Sequence, residues 1–181
     1  MLNLEQKKKL LELARKTIAG YLKEGKIPSF ETEEPELLQK RGVFVTLKKG
    51  GELRGCIGRI SSEVPLYQTI QEMAIEASLN DPRFFPLSFK ELPEIEIEIS
   101  VLSELKKIED IKEIEVGKHG IIIRRGFNSG LLLPQVATEY HWDREEFLNH
   151  TCLKAGLPLS AWKDKRTQIY IFSAEVFSEK E

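Results

Sequence analysis

The sequence predicts an α+β fold, made mainly of antiparallel sheet with packed helices, and three observations support this prediction. Segments with helical periodicity and segments with strand alternation interleave along the 181 residues. Short glycine-rich turns join most of the strands, and such turns connect antiparallel neighbours. Glu94 to Leu102 alternates apolar with polar residues until its last position, which is typical of a sheet with one buried face. The hairpins favour α+β over a doubly wound parallel sheet.

The predicted helices have clear start and stop signals. The first has a good N-cap at Asn3 and a stop at Gly25. Proline opens two others, which begin near Pro65 and Pro134. The last helix is bounded by a capping box and a glycine, namely Asp143 with Glu146, and Gly156.

The predicted strands surround two hairpin turns. "VFVTL" and "LRGCIG" flank the first turn, "KKGGE". "HGIIIRR" and "GLLL" flank the second turn, "GFNSG". "TQIYIFSAEVF", from Thr167 to Phe177, reads as one final strand.

Composition excludes several classes of protein. Hydrophobic residues make up 41% of the chain, enough for a core, and the net charge of -2 argues against nucleic-acid binding driven by excess positive charge. The N-terminus lacks the apolar stretch of a signal peptide, and no apolar run approaches the ~20 residues of a membrane span. We therefore expect a cytoplasmic, soluble protein that has no membrane partner.

The segment "ELRGCIG" is the candidate site. Strand alternation puts Leu53, Gly55 and Ile57 on the core, and Arg54, Cys56 and Gly58 together on the other face. An arginine beside a cysteine favours the reactive thiolate. The two glycines let backbone N–H groups converge on an anion. A structural interpretation stays open beside this one, because free cysteine often fills cores and strand glycine often marks a bulge.

The same segment carries a resemblance that extends over nearly the whole chain. "LRGCIG" resembles the signature of the AMMECR family. "DPRF", "HG", "LLLPQVA", the tryptophan of "HWD" and "KAG" resemble the other blocks of that family, in the same order. Phe85 departs from the pattern, since many members have proline there, and this puts the rigidity of the turn in doubt.

The resemblance implies an α+β fold in which residues 1–181 form one AMMECR-type domain, with a smaller subdomain in the main body. It implies no established activity and names no cofactor. In some prokaryotes the family resembles one part of a three-component system. The implied partners are a Memo-type protein, similar to metal-dependent ring-opening dioxygenases, and a radical S-adenosylmethionine enzyme.

Other residues add to the candidate site. His119 is the candidate base for Cys56, with a surface histidine beside a turn glycine as the alternative. Arg83, on a stiff turn, is a candidate anion ligand beside Arg54, and an ion pair that ties two loops together is the favoured alternative. Cys152 lies on the apolar face of a helix and is expected in the core. No metal site is predicted, because the cysteines and histidines form no local ligand pair.

Three further side chains have simple surface interpretations. His141, His150 and Lys154 are expected to be exposed, since they lie off the apolar positions of their helices. "WKDKR", from Trp162 to Arg166, mixes an aromatic with basic residues as single-strand nucleic-acid grooves do. A solvated loop explains that segment more simply.

Three functions remain open from the sequence. The first is a module that binds a small anionic ligand or a partner through the Arg54 and Cys56 face, using Gly55, Gly58 and Arg83. The second is a thiol enzyme with Cys56 as nucleophile and His119 as base. Nucleic-acid binding ranks third.

Overall fold

The computed structural model describes residues 1–180, and the chain divides into two compact units. The first unit contains residues 1–102 and 175–180, and the second contains Ser103–Ala174. The second unit is therefore an insertion in the sequence of the first. No helix within residues 1–180 is both long and apolar enough to cross a bilayer.

The first unit contains three helices, and the longest begins and ends where the sequence predicts. Asn3 accepts the Gln6 N–H at 2.9 Å, and the Gln6 side chain accepts the Asn3 N–H at 3.0 Å, which completes a capping box. Gly25 ends the helix with φ of 66°, a conformation that glycine adopts without strain. The helices of this unit are α1 (Leu4–Glu24), α2 (Pro35–Leu38) and α3 (Leu66–Leu79).

The sheet of the first unit has four strands in the order β2-β1-β3-β8. β1 is antiparallel to both β2 and β3, as the hairpin signals predict. Gly50 and Gly51 form the turn between β1 and β2, both with positive φ. The strands are β1 (Val43–Lys49), β2 (Glu52–Arg59), β3 (Ile95–Leu102) and β8 (Ala174–Ser178).

The alternation of β3 is confirmed from Ile95 to Ile99, and it ends at Ser100, which is buried. The alternate apolar side chains are buried in one core with α1 and α3, namely Ile95, Ile97, Ile99 and Val101. Glu96 and Glu98 are only partly buried, because each extends to a lysine: Lys180 at 2.8 Å and Lys48 at 2.7 Å. Burial of the four apolar side chains stabilises the sheet, at ~1.5–3 kcal/mol for each.

The second unit has its own sheet and core. Its strand order is β4-β7-β5-β6, with all neighbours antiparallel. The capping box that Asp143 and Glu146 were predicted to form is confirmed. The elements are β4 (Lys106–Ile108), β5 (Gly120–Arg125), β6 (Asn128–Leu132), β7 (Gln168–Phe172), α4 (Pro134–Glu139) and α5 (Arg144–Lys154).

The prediction of one final strand is wrong. The segment from Thr167 to Phe177 contains two strands, β7 and β8, which belong to different sheets. The break falls at Ser173, whose N–H donates to the Ser103 hydroxyl oxygen at 2.9 Å. The Ser103 N–H in turn donates to the Ser173 carbonyl oxygen at 2.8 Å. The apolar pattern runs through this break, so alternation alone does not reveal it.

Candidate functional site

The two glycines of "LRGCIG" allow close packing around β2, which is an edge strand of its sheet. A Cβ atom added to Gly55 would lie 2.2 Å from the carbonyl oxygen of Ala77 in α3. A Cβ atom added to Gly58 would lie 2.3 Å from the ring of Phe44 in β1. Real Cβ atoms do not approach so closely, so both positions require glycine for packing reasons alone.

β2 also contains a bulge. Gly55 lies opposite Leu47 and Leu53 lies opposite Lys48, so Arg54 has no partner across the ladder. The extra residue interrupts the alternation that the sequence suggested. Leu53, predicted on the core, is instead 43% exposed.

Arg54 is held by an acidic residue that sequence reasoning missed. Its Nε and Nη2 atoms donate to the two carboxylate oxygens of Glu91 at 2.9 Å and 3.2 Å. Lys49 approaches the same carboxylate at 3.4 Å. The Arg54 guanidinium, with help from Lys49, lowers the pKa of Glu91 to about 2. Glu91 is 37 positions from Arg54, and no local motif links the two.

Cys56 is half-buried, and other residues engage its polar atoms. The Thr46 hydroxyl contacts the Cys56 sulfur at 3.2 Å. The Cys56 N–H donates to Asp81 Oδ2 at 2.9 Å, and the Cys56 carbonyl oxygen accepts from Arg83 Nη2 at 3.4 Å. The sequence suggested that an anion would lie on the amides of this strand, and the Asp81 carboxylate occupies that position at Cys56.

Asp81 and Arg83 act as a clamp on the free edge of β2. Arg83 donates to both carboxylate oxygens of Asp81, at 3.0 Å and 2.8 Å. The Arg83 guanidinium holds the pKa of Asp81 far below its usual range, and the N–H groups of Cys56 and Arg83 add to this effect. The Asp81 side chain is only 2% exposed, whereas that of Arg83 is 56% exposed. The clamp fills the hydrogen-bonding positions of Cys56 that a neighbouring strand would otherwise fill.

The motifs "LRGCIG" and "DPRF" are therefore bonded to each other in the structure. The loop from Asp81 to Glu91 is tied to β2 at both ends, through Cys56 at one end and Arg54 at the other. We call this segment the clamp loop. Between its ends, the Leu87 N–H donates to the Ser78 carbonyl oxygen of α3 at 2.7 Å.

The clamp loop presents aromatic side chains to solvent. Phe85 is 90% exposed and Phe89 is 48% exposed, in a chain whose other large apolar residues are mostly buried. Arg83 lies two positions before Phe85 in the same loop, and its guanidinium is 5.5 Å from the centre of the Phe84 ring. Sequence reasoning noted Phe85 only as a departure from a pattern, although its place in a proline-containing turn favours the surface.

His119 and Cys56 belong to different units. His119 precedes β5 in the second unit, and its Nδ1 atom accepts the Glu115 N–H at 3.1 Å. Cys56 lies in the first unit. The structure thus gives each residue its own local partners, and the pairing of the two as nucleophile and base stays a prediction.

The structure of the second unit tests four of the remaining predictions. Cys152 is fully buried, as expected, and its burial raises the pKa of its thiol. His150 is half-buried, and the expectation of exposure is wrong because its ring stacks on Trp142 at 3.9 Å. His141 and Lys154 are exposed, as expected.

The basic-aromatic segment has partners within the chain. Trp162 donates its indole N–H to Asn149 at 2.7 Å. Arg166 pairs with Asp164 at 2.7 Å. This arrangement fits a structured loop.

Comparison with known proteins gives consistent matches along the chain. The family model AMMECR1 matches residues 11–177. Protein MK0488 of Methanopyrus kandleri is 50% identical, over 99% of this chain and 91% of the relative. Protein Mbar_A1807 of Methanosarcina barkeri is 48% identical, over 94% of this chain and 89% of the relative.

A solved structure agrees with this fold. The crystal structure of uncharacterized protein PH0010 from Pyrococcus horikoshii matches with a TM-score of 0.90 at 42% identity. The match covers 99% of this chain and 94% of that chain. The names of these relatives state no activity. The chain belongs to the AMMECR1 family, as the order of its motifs predicted.

Proposed function

We propose that this protein is a binding module that recognises a partner protein through the clamp loop and the adjoining Arg54 and Cys56 segment of β2. The observation that supports this proposal is the exposure of Phe85 on a loop that one ion pair, Arg54 with Glu91, and one hydrogen bond, Cys56 N–H to Asp81, fix to the strand. Phe85 and Phe89 expose two aromatic side chains on one short loop, and exposed apolar patches mark interaction sites. Aromatic and arginine side chains are also the residue types that dominate the energy of interfaces.

The fixed loop favours binding because it limits the entropy lost on association. A loop that is already ordered loses less freedom when a partner covers it. In this proposal Arg54 and Cys56 hold the loop in place, and Gly55 and Gly58 let β2 pack closely against α3 and β1. Arg83, Phe85 and Phe89 contact the partner. The motif then supports the interface and need not supply a nucleophile.

The thiol-enzyme alternative has less support from the geometry. Arg54 donates to the Glu91 carboxylate through Nε and Nη2, and the Cys56 N–H donates to Asp81. The Nε and Nη2 donors of Arg54 and the N–H of Cys56 are thus already bonded to carboxylates of the chain, which disfavours their use on a thiolate or an oxyanion. His119 has its own partner in the second unit.

The family resemblance suggests the first partners to test. They are the Memo-type protein and the radical S-adenosylmethionine protein of the same organism, which we expect to meet this chain in the cytoplasm. Each purified partner would be titrated against the full chain by isothermal calorimetry. We expect Phe85→Ala to weaken binding about tenfold or more, which is ~1.4 kcal/mol.

Phe127→Ala is the matched control, because Phe127 is equally exposed but lies in the second unit. We expect this variant to bind as the parent does. Equal binding by the parent and by Phe85→Ala would contradict the proposed surface. Failure of both partners to bind would reject them as partners, and the variants would then be compared in a genetic assay.

A further inference from the structure

The geometry points to a second binding site, in a groove between α1 and the end of β8, for a small amphipathic carboxylate. The groove lies within the first unit and has a volume of about 310 Å³. That volume is at the lower end of the range for small-ligand sites.

The floor of the groove is apolar. Leu11 and Phe177 lie at its base and are nearly fully buried. Leu4, in the first turn of α1, forms a wall and is 70% exposed. A short hydrocarbon chain bound in the groove would remove the apolar surface of Leu4 from water, which favours binding.

The charges around the groove pair with one another, with one exception. Arg15 pairs with Glu179 at 2.6 Å, and Lys16 lies 3.7 Å from Glu12. Both acidic residues of the lining are thus neutralised. Lys7 lies 3.5 Å from a third acid, Glu175, which is outside the lining.

Lys8 is the exception. Within residues 1–180 it forms no ion pair or hydrogen bond, although the other three cations of the lining, Lys7, Arg15 and Lys16, each form an ion pair. It therefore supplies one uncompensated positive charge beside an apolar floor. That combination selects a ligand with a single negative charge and an apolar body.

The same charge argues against a second copy of this chain as the occupant. A symmetric pair would bring two uncompensated lysines toward each other across the groove, and like charges oppose association. A strongly charged, wholly polar anion would leave the apolar floor uncovered. A carboxylate on a short alkyl chain matches both features.

The test is a titration of the full chain with octanoate, followed by backbone amide NMR at neutral pH. We expect saturable shifts in α1 and at the end of β8. Octan-1-ol has the same chain without the charge, and we expect it to bind about fivefold more weakly. Sedimentation in parallel reports whether octanoate changes the oligomeric state.

Variants divide the contributions of charge and apolar surface. We expect Lys8→Gln and Leu4→Asn each to weaken octanoate binding about fivefold. Lys23→Gln is the matched control, since Lys23 lies in the last turn of α1, away from the groove, and we expect no change. An absence of saturable shifts in the groove would overturn the inference. Unchanged octanoate binding by Lys8→Gln, or equal binding of octan-1-ol and octanoate, would also overturn it.

Discussion

At the scale of single residues, packing accounts for both glycines of "LRGCIG". Gly55 faces the Ala77 carbonyl oxygen and Gly58 faces the Phe44 ring, each closer than a Cβ atom allows. A six-residue motif of this kind suggests a reactive cysteine when it is read as sequence. The structure shows that two of its positions are dictated by neighbours, which no local pattern reveals.

We expect Gly55→Ala to destabilise the protein by ~1–3 kcal/mol, because the added methyl group must push β2 away from α3. Urea unfolding followed by circular dichroism measures this change. Gly50→Asn is the control, since Gly50 has open space around its Cβ position and asparagine tolerates its positive φ. A loss for Gly55→Ala no larger than for the control would contradict the packing account.

The two cysteines should differ in reactivity. Cys152 is fully buried and its thiol has a raised pKa, whereas Cys56 is half-exposed. We therefore expect a thiol reagent to label Cys56 first in the native protein, as mass spectrometry of the adduct would show. Preferential labelling of Cys152 before unfolding would be inconsistent with the structure.

At the scale of elements, signals that lie close together in the sequence were predicted well. The caps at Asn3 and Asp143 are confirmed because a cap involves residues only three positions apart. The ion pair of Arg54 with Glu91 joins positions far apart in the sequence, so it could not be predicted in this way. The division of the last strand at Ser173 was missed for a related reason: alternation reports burial and not the sheet to which a strand belongs.

The clamp loop should make stability depend on pH below about 4.5. The pKa of Glu91 falls from an ordinary 4.5 to about 2 on folding, so its contribution is fully present above 4.5 and is lost as the pH falls toward 2. The upper limit of that contribution is ~3 kcal/mol, and partial exposure of Glu91 reduces it.

We expect Glu91→Gln to cost stability at pH 7 and to cost much less at pH 2.5, because there the Glu91 carboxyl of the unfolded chain is protonated and that of the native chain is partly protonated. Chemical unfolding at both values measures the difference. Glu63→Gln is the control, because Glu63 is almost fully exposed and forms only a loose pair with Lys40. A cost for Glu91→Gln that does not change with pH would argue against the ion pair as its cause.

At the scale of the whole molecule, the fold class and the family follow from the sequence, and the function does not. The order of the motifs identifies the AMMECR1 family, and the antiparallel connections are as predicted. Residues 103–174 form a compact unit, but whether the chain acts as one domain stays a proposal. The exposure of Phe85, and the lack of an ion-pair partner for Lys8 within residues 1–180, depend on residues that are distant in the sequence. Only a structure therefore reveals them.

The most direct test of the central claim is complementation of a host that lacks the gene, with folded protein measured in parallel. The claim is that the motif holds a binding loop and does not supply a nucleophile. We expect Cys56→Ser to be mild, because serine keeps the same backbone bonds to Asp81 and Arg83. Phe85→Ala should be severe at equal folded protein, and so should Arg54→Ala, which releases Glu91. A severe Cys56→Ser defect beside a mild Phe85→Ala phenotype would contradict the account and favour thiol chemistry.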